Sequence, residues 1–193
     1  RGTPADRGSV VVNRPQEVVV GVDSSTQACK VEVRTLDGTW LGRGRSAHPP
    51  AFPPASEQAP AAWWLAFSRA MREGLEVADV DGSAVVAIGV DAQCHGLVAL
   101  DSHDEVIRPA KLWNDTTSAT YVAELTKLIG AEAWINSIGS LPTAAFTIGK
   151  LAWLAAEEPS HFASLRTVLL PHDWLNFQLT GRKVTDRSEA SGT

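Results

Sequence analysis

A run of valines, Val18-Val19-Val20-Gly21-Val22, breaks off abruptly at Asp23-Ser24-Ser25-Thr26. After a short gap comes Lys30-Val31-Glu32-Val33-Arg34-Thr35-Leu36, in which apolar and charged residues alternate up to Asp37-Gly38. A period of two is that of a half-buried strand. Asp37-Gly38 is a turn dipeptide, because both residues tolerate positive φ. Residues 16–37 therefore read as a β-hairpin whose first loop holds an acid, three hydroxyls and several free backbone N–H groups. Such N–H groups in a tight turn form an anion-binding concavity. Asp23 at the end of the strand suits a hydrated divalent cation, since Mg²⁺ prefers oxygen ligands and keeps its waters. The same residues also read as an ordinary turn closed by Asp23 and Ser24 side chains.

The rest of the chain sets elements around this hairpin. Residues 1–15 are polar and contain Pro4 and Pro15, which predicts a flexible leader. Residues 39–47 predict a third strand, and the five prolines of 48–60 an irregular loop. Residues 61–78 predict a helix with Trp64, Phe67, Met71, Leu75 and Ala78 on its buried face. Pro60 suits the first helical position. Ala59 as N-cap is about 1 kcal/mol poorer than Asp or Ser, and Gly74 weakens the helix further. The unbroken apolar run 84–90 predicts a strand buried on both faces. Reached through a helix, it should lie parallel to the first.

That strand runs into Asp91-Ala92-Gln93-Cys94-His95-Gly96. Ligands of open α/β sheets bind beyond the carboxyl ends of the strands, so this cluster should share an edge with Asp23. Two strands then flank the turn at 102–105. Helices are predicted from 114 to about 129 with Gly130 as the stop, over 143–157, and over 172–179, with a short strand at 166–170.

Composition narrows the function. The chain has 193 residues, 44% hydrophobic and 20% charged, with a net charge of −5. That is globular material, and without a basic stripe it argues against nucleic acid as a partner. No apolar stretch is long enough to span a membrane. The N-terminus shows no secretory signal. Cys29 and Cys94 are the two cysteines, with no Cys-x-x-Cys, which suits a reducing, cytoplasmic setting. A zinc site built from them and His95 lacks the usual ligand spacing.

The clusters, in this order, resemble the FGGY family of sugar kinases, and among them the xylulokinases. Val22-Asp23-Ser24-Ser25-Thr26 is similar to the family's first phosphate motif. Ser56-Glu57-Gln58 with Trp63-Trp64 resembles its loop and first helix, and Gln93-Cys94-His95-Gly96 its sugar-binding Gln-Met-His-Gly. Leu112-Trp113-Asn114-Asp115, Leu170-Pro171-His172-Asp173-Trp174-Leu175, Leu179-Thr180-Gly181 and the stretch from Thr185-Asp186 to Ser191-Gly192-Thr193 continue the match. Departures include Ser25 in place of Gly, Cys94 in place of Met, a His at 172 in place of Lys, and Asp91-Ala92 in place of two small residues.

The resemblance implies an α/β fold, an RNase H-like domain of the actin/hexokinase ATPase type with a mixed sheet flanked by helices. It implies that residues 16–193 form the N-terminal lobe, with a second lobe and the family's catalytic Asp beyond it. The implied reaction moves a phosphoryl group from ATP, with Mg²⁺, to O5 of D-xylulose. Ribulose, fuculose or gluconate are alternative acceptors, and a non-catalytic sugar-binding lobe is the alternative from another class. Asp23 would organise Mg²⁺ and the phosphates, with Ser24, Ser25 and Thr26 as phosphate donors. Gln93, Cys94, His95, Trp113 and Asp115 would hold the sugar. Outside that resemblance, His95 reads as a hydrogen-bonded core residue, Trp113 as packing and Asp115 as a helix N-cap. Apolar surface left uncovered on a single lobe would favour self-association, a homodimer among the forms.

Overall fold

The computed structural model describes residues 16–193, so the expected leader at 1–15 lies outside the described residues. Strand β1 (Val18–Ser24) pairs antiparallel with β2 (Ala28–Thr35), which pairs antiparallel with β3 (Trp40–Ala47). The alternation read from the sequence is the observed burial: Val18, Val20, Val22, Val31 and Val33 face the core. Gly38 turns β2 into β3 with φ +89.

Helix α1 (Pro60–Ala78) covers that face. Ala59 makes no side-chain cap, as expected. At about 1.5–3 kcal/mol for each large apolar side chain fully buried, packing outweighs a missing cap worth about 1 kcal/mol. The buried face differs from the expected one. Trp63, Ala66, Phe67, Ala70 and Gly74 are buried, whereas Trp64, Met71 and Leu75 lie at its margin. The reason is close approach. A Cβ on Gly44 would sit 1.9 Å from the Ala70 carbonyl oxygen, and one on Gly42 2.6 Å from that of Gly74. The helix lies so near β3 that only its smallest residues fit between.

After a single 3₁₀ turn at Gly82–Ala84 the chain enters β5 (Val85–Ala92), which lies parallel to β1 as expected and completes the sheet order β3-β2-β1-β5. The expectation of burial on both faces is overturned: Val86 is 53% exposed and Ile88 37%. Among the described residues β5 is an edge strand, and the sheet face opposite α1 is open along it.

The remaining chain packs beyond the C-terminal edge of β1 and β5. The proline-rich loop, expected to be wholly irregular, contains strand β4 (Glu57–Gln58), paired with β7 (Ala110–Lys111). Strand β6 (Val98–Leu100) pairs with β8 (Thr167–Leu169). The expected hairpin around 102–105 survives as two bridges, Leu97 to Lys111 and Leu100 to Val106. Helix α2 (Ala119–Ile129) ends at Gly130, as read, and α3 (Ala131–Ile138) follows at once. Then come α4 (Thr147–Glu157), the short α5 (Pro159–Ser164) and α6 (Pro171–Thr180). A second core joins Trp63, Val98, Leu112, Trp174 and Leu175. It sets the two tryptophans edge to face, with centroids 6.1 Å apart.

The α1–β3 contact makes a direct prediction. Gly44→Ala should lower the urea midpoint by the equivalent of about 3 kcal/mol or more, the upper range for an overpacked site. Gly21→Ala, where a Cβ meets nothing within 4 Å, should change stability by less than about 0.5 kcal/mol. Equal effects would refute the close-approach account.

Candidate active site

The parallel register of β1 and β5 sets Asp23 beside Asp91 and Ser24 beside Ala92. Both strands therefore end together, and the Gln93 N–H donates to the Ser24 carbonyl at 3.0 Å. This is the shared edge expected from the sequence. The Thr26 hydroxyl joins three segments there: it accepts from the Trp113 indole N–H at 2.9 Å and donates to Gln93 Oε1 at a longer 3.5 Å. Gln58 braces the same loops by donating to the carbonyls of Thr26 and Pro49, at 3.0 and 2.6 Å, while accepting from the Trp63 indole at 2.8 Å.

A cleft of about 620 Å³ opens at this edge, lined by Ser25, Thr26, His48, Phe52, Trp113 and Asn114. Phe52 and Trp113 present exposed aromatic rings to it. His48 is nearly buried, and its Nε2 lies 3.2 Å from Ser24 Oγ in a hydrogen bond. Ser25 Oγ closes the hairpin loop on the Ala28 carbonyl at 3.3 Å.

Asp23, Cys94 and His95 do not line that cleft. Asp23 stands half exposed on the open sheet face with Lys30 Nζ at 2.9 Å. His95 has φ +52, and its ring packs on Phe146 with centroids 4.7 Å apart. The Cys94 thiol beside it is pushed up by burial and then by the carboxylate of Glu189. Among the described residues no cluster of His, Cys, Asp and Glu is arranged to hold a metal ion by itself.

Asp115 is fully buried, and its carboxylate is spent within the fold. Oδ2 accepts from the Ser56 N–H at 2.9 Å and from Lys111 Nζ at 3.3 Å. Oδ1 accepts from the Thr117 N–H at 3.0 Å and from its hydroxyl. Lys111 is itself buried, 3.0 Å from Glu57 and 3.7 Å above the Trp153 ring. Arg108 links the same Glu57 to Glu158 at 2.7 and 2.8 Å. These ion pairs clamp β4, β7 and α4 together beneath Trp113.

Sequence reasoning missed Lys111, Lys150, His48 and Glu189. Lys150 is fully buried and donates to the carbonyls of Ala144, Ala145 and Phe146, fixing the loop behind His95. Burial pushes its amine down to about 8. The one sequence signal was its place inside an otherwise apolar helix, Thr147-Ile148-Gly149-Lys150-Leu151.

Two predictions come from these buried groups. Removing one partner of a buried ion pair costs about 3–5 kcal/mol. Asp115→Ala should fall near the lower end, because Glu57 still faces Lys111, and urea denaturation would read it; an unchanged midpoint would refute the clamp. Burial also holds the His48 imidazole down to about 4, below the ordinary value of about 6.5 in an unfolded chain. Between those values the unfolded chain binds the extra proton. Stability should therefore fall as pH drops from about 6.5 to about 4, with no further loss from this group below that. His48→Gln should flatten that part of the stability profile; an unaltered slope would refute it.

Comparison with known proteins agrees with this arrangement. The model of the FGGY family of carbohydrate kinases, N-terminal domain, matches residues 18–193. A xylulose kinase of Streptomyces rubiginosus is 43% identical over 178 residues, covering 91% of this chain and 36% of that protein. The structure of a xyloylose kinase from Brucella ovis superposes with a TM-score of 0.85 at 34% identity, over 92% of this chain and 37% of that one. The xylulose kinase of Bifidobacterium adolescentis gives 0.83 at 35% identity, over 92% and 39%. The chain thus spans little more than a third of the length of these relatives. With its mixed sheet flanked by helices, of the actin/hexokinase ATPase type, it belongs to the FGGY family of carbohydrate kinases.

Proposed function

We propose that the protein of which residues 16–193 form the N-terminal lobe transfers the γ-phosphoryl group of ATP to O5 of D-xylulose. One observation carries the reading: a single hydroxyl, that of Thr26, ties the phosphate-type loop to Gln93 and Trp113 at the common end of β1 and β5. The xylulose kinases among the similar proteins support the choice of sugar.

The loop fits a nucleotide's phosphates. Among the described residues the N–H groups of Ser25, Thr26 and Gln27 make no backbone hydrogen bond, and free N–H groups in a turn attract anions. The half-exposed Asp23 carboxylate would hold hydrated Mg²⁺ beside them. Bound Mg²⁺ neutralises charge on the phosphate oxygens. Trp113, its N–H spent on Thr26, offers a ring face to the carbon side of a sugar. His95 and the Cys94 backbone would hold sugar hydroxyls. Catalysis of this kind is largely positioning and charge stabilisation, and the proton acceptor is not among the residues assigned here. The open apolar stretch of β5, with Val86 and Ile88 exposed, supports self-association of this lobe on its own.

The test is ADP release by the complete protein with D-xylulose, ATP and Mg²⁺. Sugar-dependent release is expected. His95→Ala should lower kcat/KM about 10–100-fold, the scale of leaving a buried polar group without its partner, about 1–3 kcal/mol. A clear preference for ribulose, fuculose or gluconate would reassign the substrate. Sugar binding without turnover would leave a binding lobe instead of an enzyme.

A further inference from the structure

His95 carries an unexplained feature. Its Nδ1 is buried and has no hydrogen-bond partner, a state that native structures rarely leave without a reason. A carboxylate from a segment 94 residues away faces it. Glu189 Oε2 accepts the His95 backbone N–H at 3.1 Å and lies 3.9 Å from Nδ1.

Glu189 is itself held firmly. Asp186 Oδ1 accepts from the N–H groups of Ser188 and Glu189 at 2.7 and 3.0 Å, and Asp186 Oδ2 lies 2.9 Å from His172 Nε2. His172 is anchored in turn against Asp173 at 3.0 Å. Beyond Glu189, Gly192 lies so close that a Cβ there would stand 2.7 Å from His95 Nδ1 and Cε1. Phe146 covers the ring, and the Thr147 hydroxyl donates to the His95 carbonyl at 3.2 Å.

We propose that Glu189 is a positioning residue for His95: it fixes the positive-φ backbone by accepting the N–H and keeps the ring proton on Nδ1, so that Nε2 is a bare acceptor. Which nitrogen of a neutral imidazole carries the proton is set by the partner of the other. A carboxylate facing a dry Nδ1 favours the N–H there, and a small ring rotation closes the remaining gap. Nε2 is then matched to a donor, such as a sugar hydroxyl, and not to a carbonyl or carboxylate oxygen. This last step rests on the sugar-kinase reading above; the positioning itself does not.

The experiment is long-range ¹H–¹⁵N NMR of the His95 ring in this chain, with and without D-xylulose. Wild type should show the Nδ1–H tautomer. Glu189→Gln is isosteric and still accepts the backbone N–H through its carbonyl oxygen, so the fold should persist. The same oxygen then faces Nδ1 without the carboxylate's charge, so the hold on the Nδ1 proton weakens and the ring should shift toward the Nε2–H form. Glu189→Asp, which restores the charge, should restore the Nδ1–H tautomer. D-xylulose affinity should fall at least tenfold in Glu189→Gln and recover in part in Glu189→Asp. Identical ring signals in wild type and Glu189→Gln would overturn the proposal, whatever the sugar does. A tautomer change without sugar binding by wild type would uphold the positioning and count against the substrate reading instead.

Discussion

Parallel pairing of β1 with β5 is the constraint on which the site depends. Two strands joined by a short turn cannot lie parallel; a crossover element must carry the chain back. Here α1 does so, and its seat on β3 is fixed by contacts that admit no side chain at Gly42 or Gly44. Because the register sets Asp23 beside Asp91, two loops separated by some seventy residues open at the same edge. The Thr26 hydroxyl and the Gln93 N–H then need only local geometry to join them.

Beneath that edge the fold commits several charges to its interior. Lys111 and Asp115 are buried as a pair, with Arg108, Glu57 and Glu158 around them. Buried pairs contribute little net stability over an apolar replacement, but they are costly to break singly. Their consequence here is geometric: they fix β4, β7 and α4 in one arrangement, and Trp113 emerges from it toward the cleft. Asp115, read from the sequence as a sugar contact or a helix cap, occupies this support.

How much was legible follows from what a sequence encodes locally. The β1–β2 alternation and the Gly38 and Gly130 turns were readable, because each depends on neighbours in the chain. The open face of β5 was not, because an apolar run such as Val85-Val86-Ala87-Ile88 tells what a strand would bury and not what lies on it. The buried face of α1 was misread for a related reason: hydrophobicity favoured Met71 and Leu75, whereas the closeness of β3 selected Ala70 and Gly74. Lys111 and Glu189 look like solvated charges in sequence, and Lys150 stands out only as a lone charge in an apolar stretch. Only tertiary contacts turn them into a buried clamp, a carbonyl cap and a partner for His95.

The central claim is that the common end of β1 and β5 receives a sugar. Backbone and indole NMR shifts of this chain during a D-xylulose titration test it most directly. The account predicts saturable shifts at Thr26, Gln93, His95 and the Trp113 indole, with Val33 and Ala70 in the distant sheet–helix core unmoved. Shifts confined to the α2–α3 surface, or none at millimolar sugar, would contradict it.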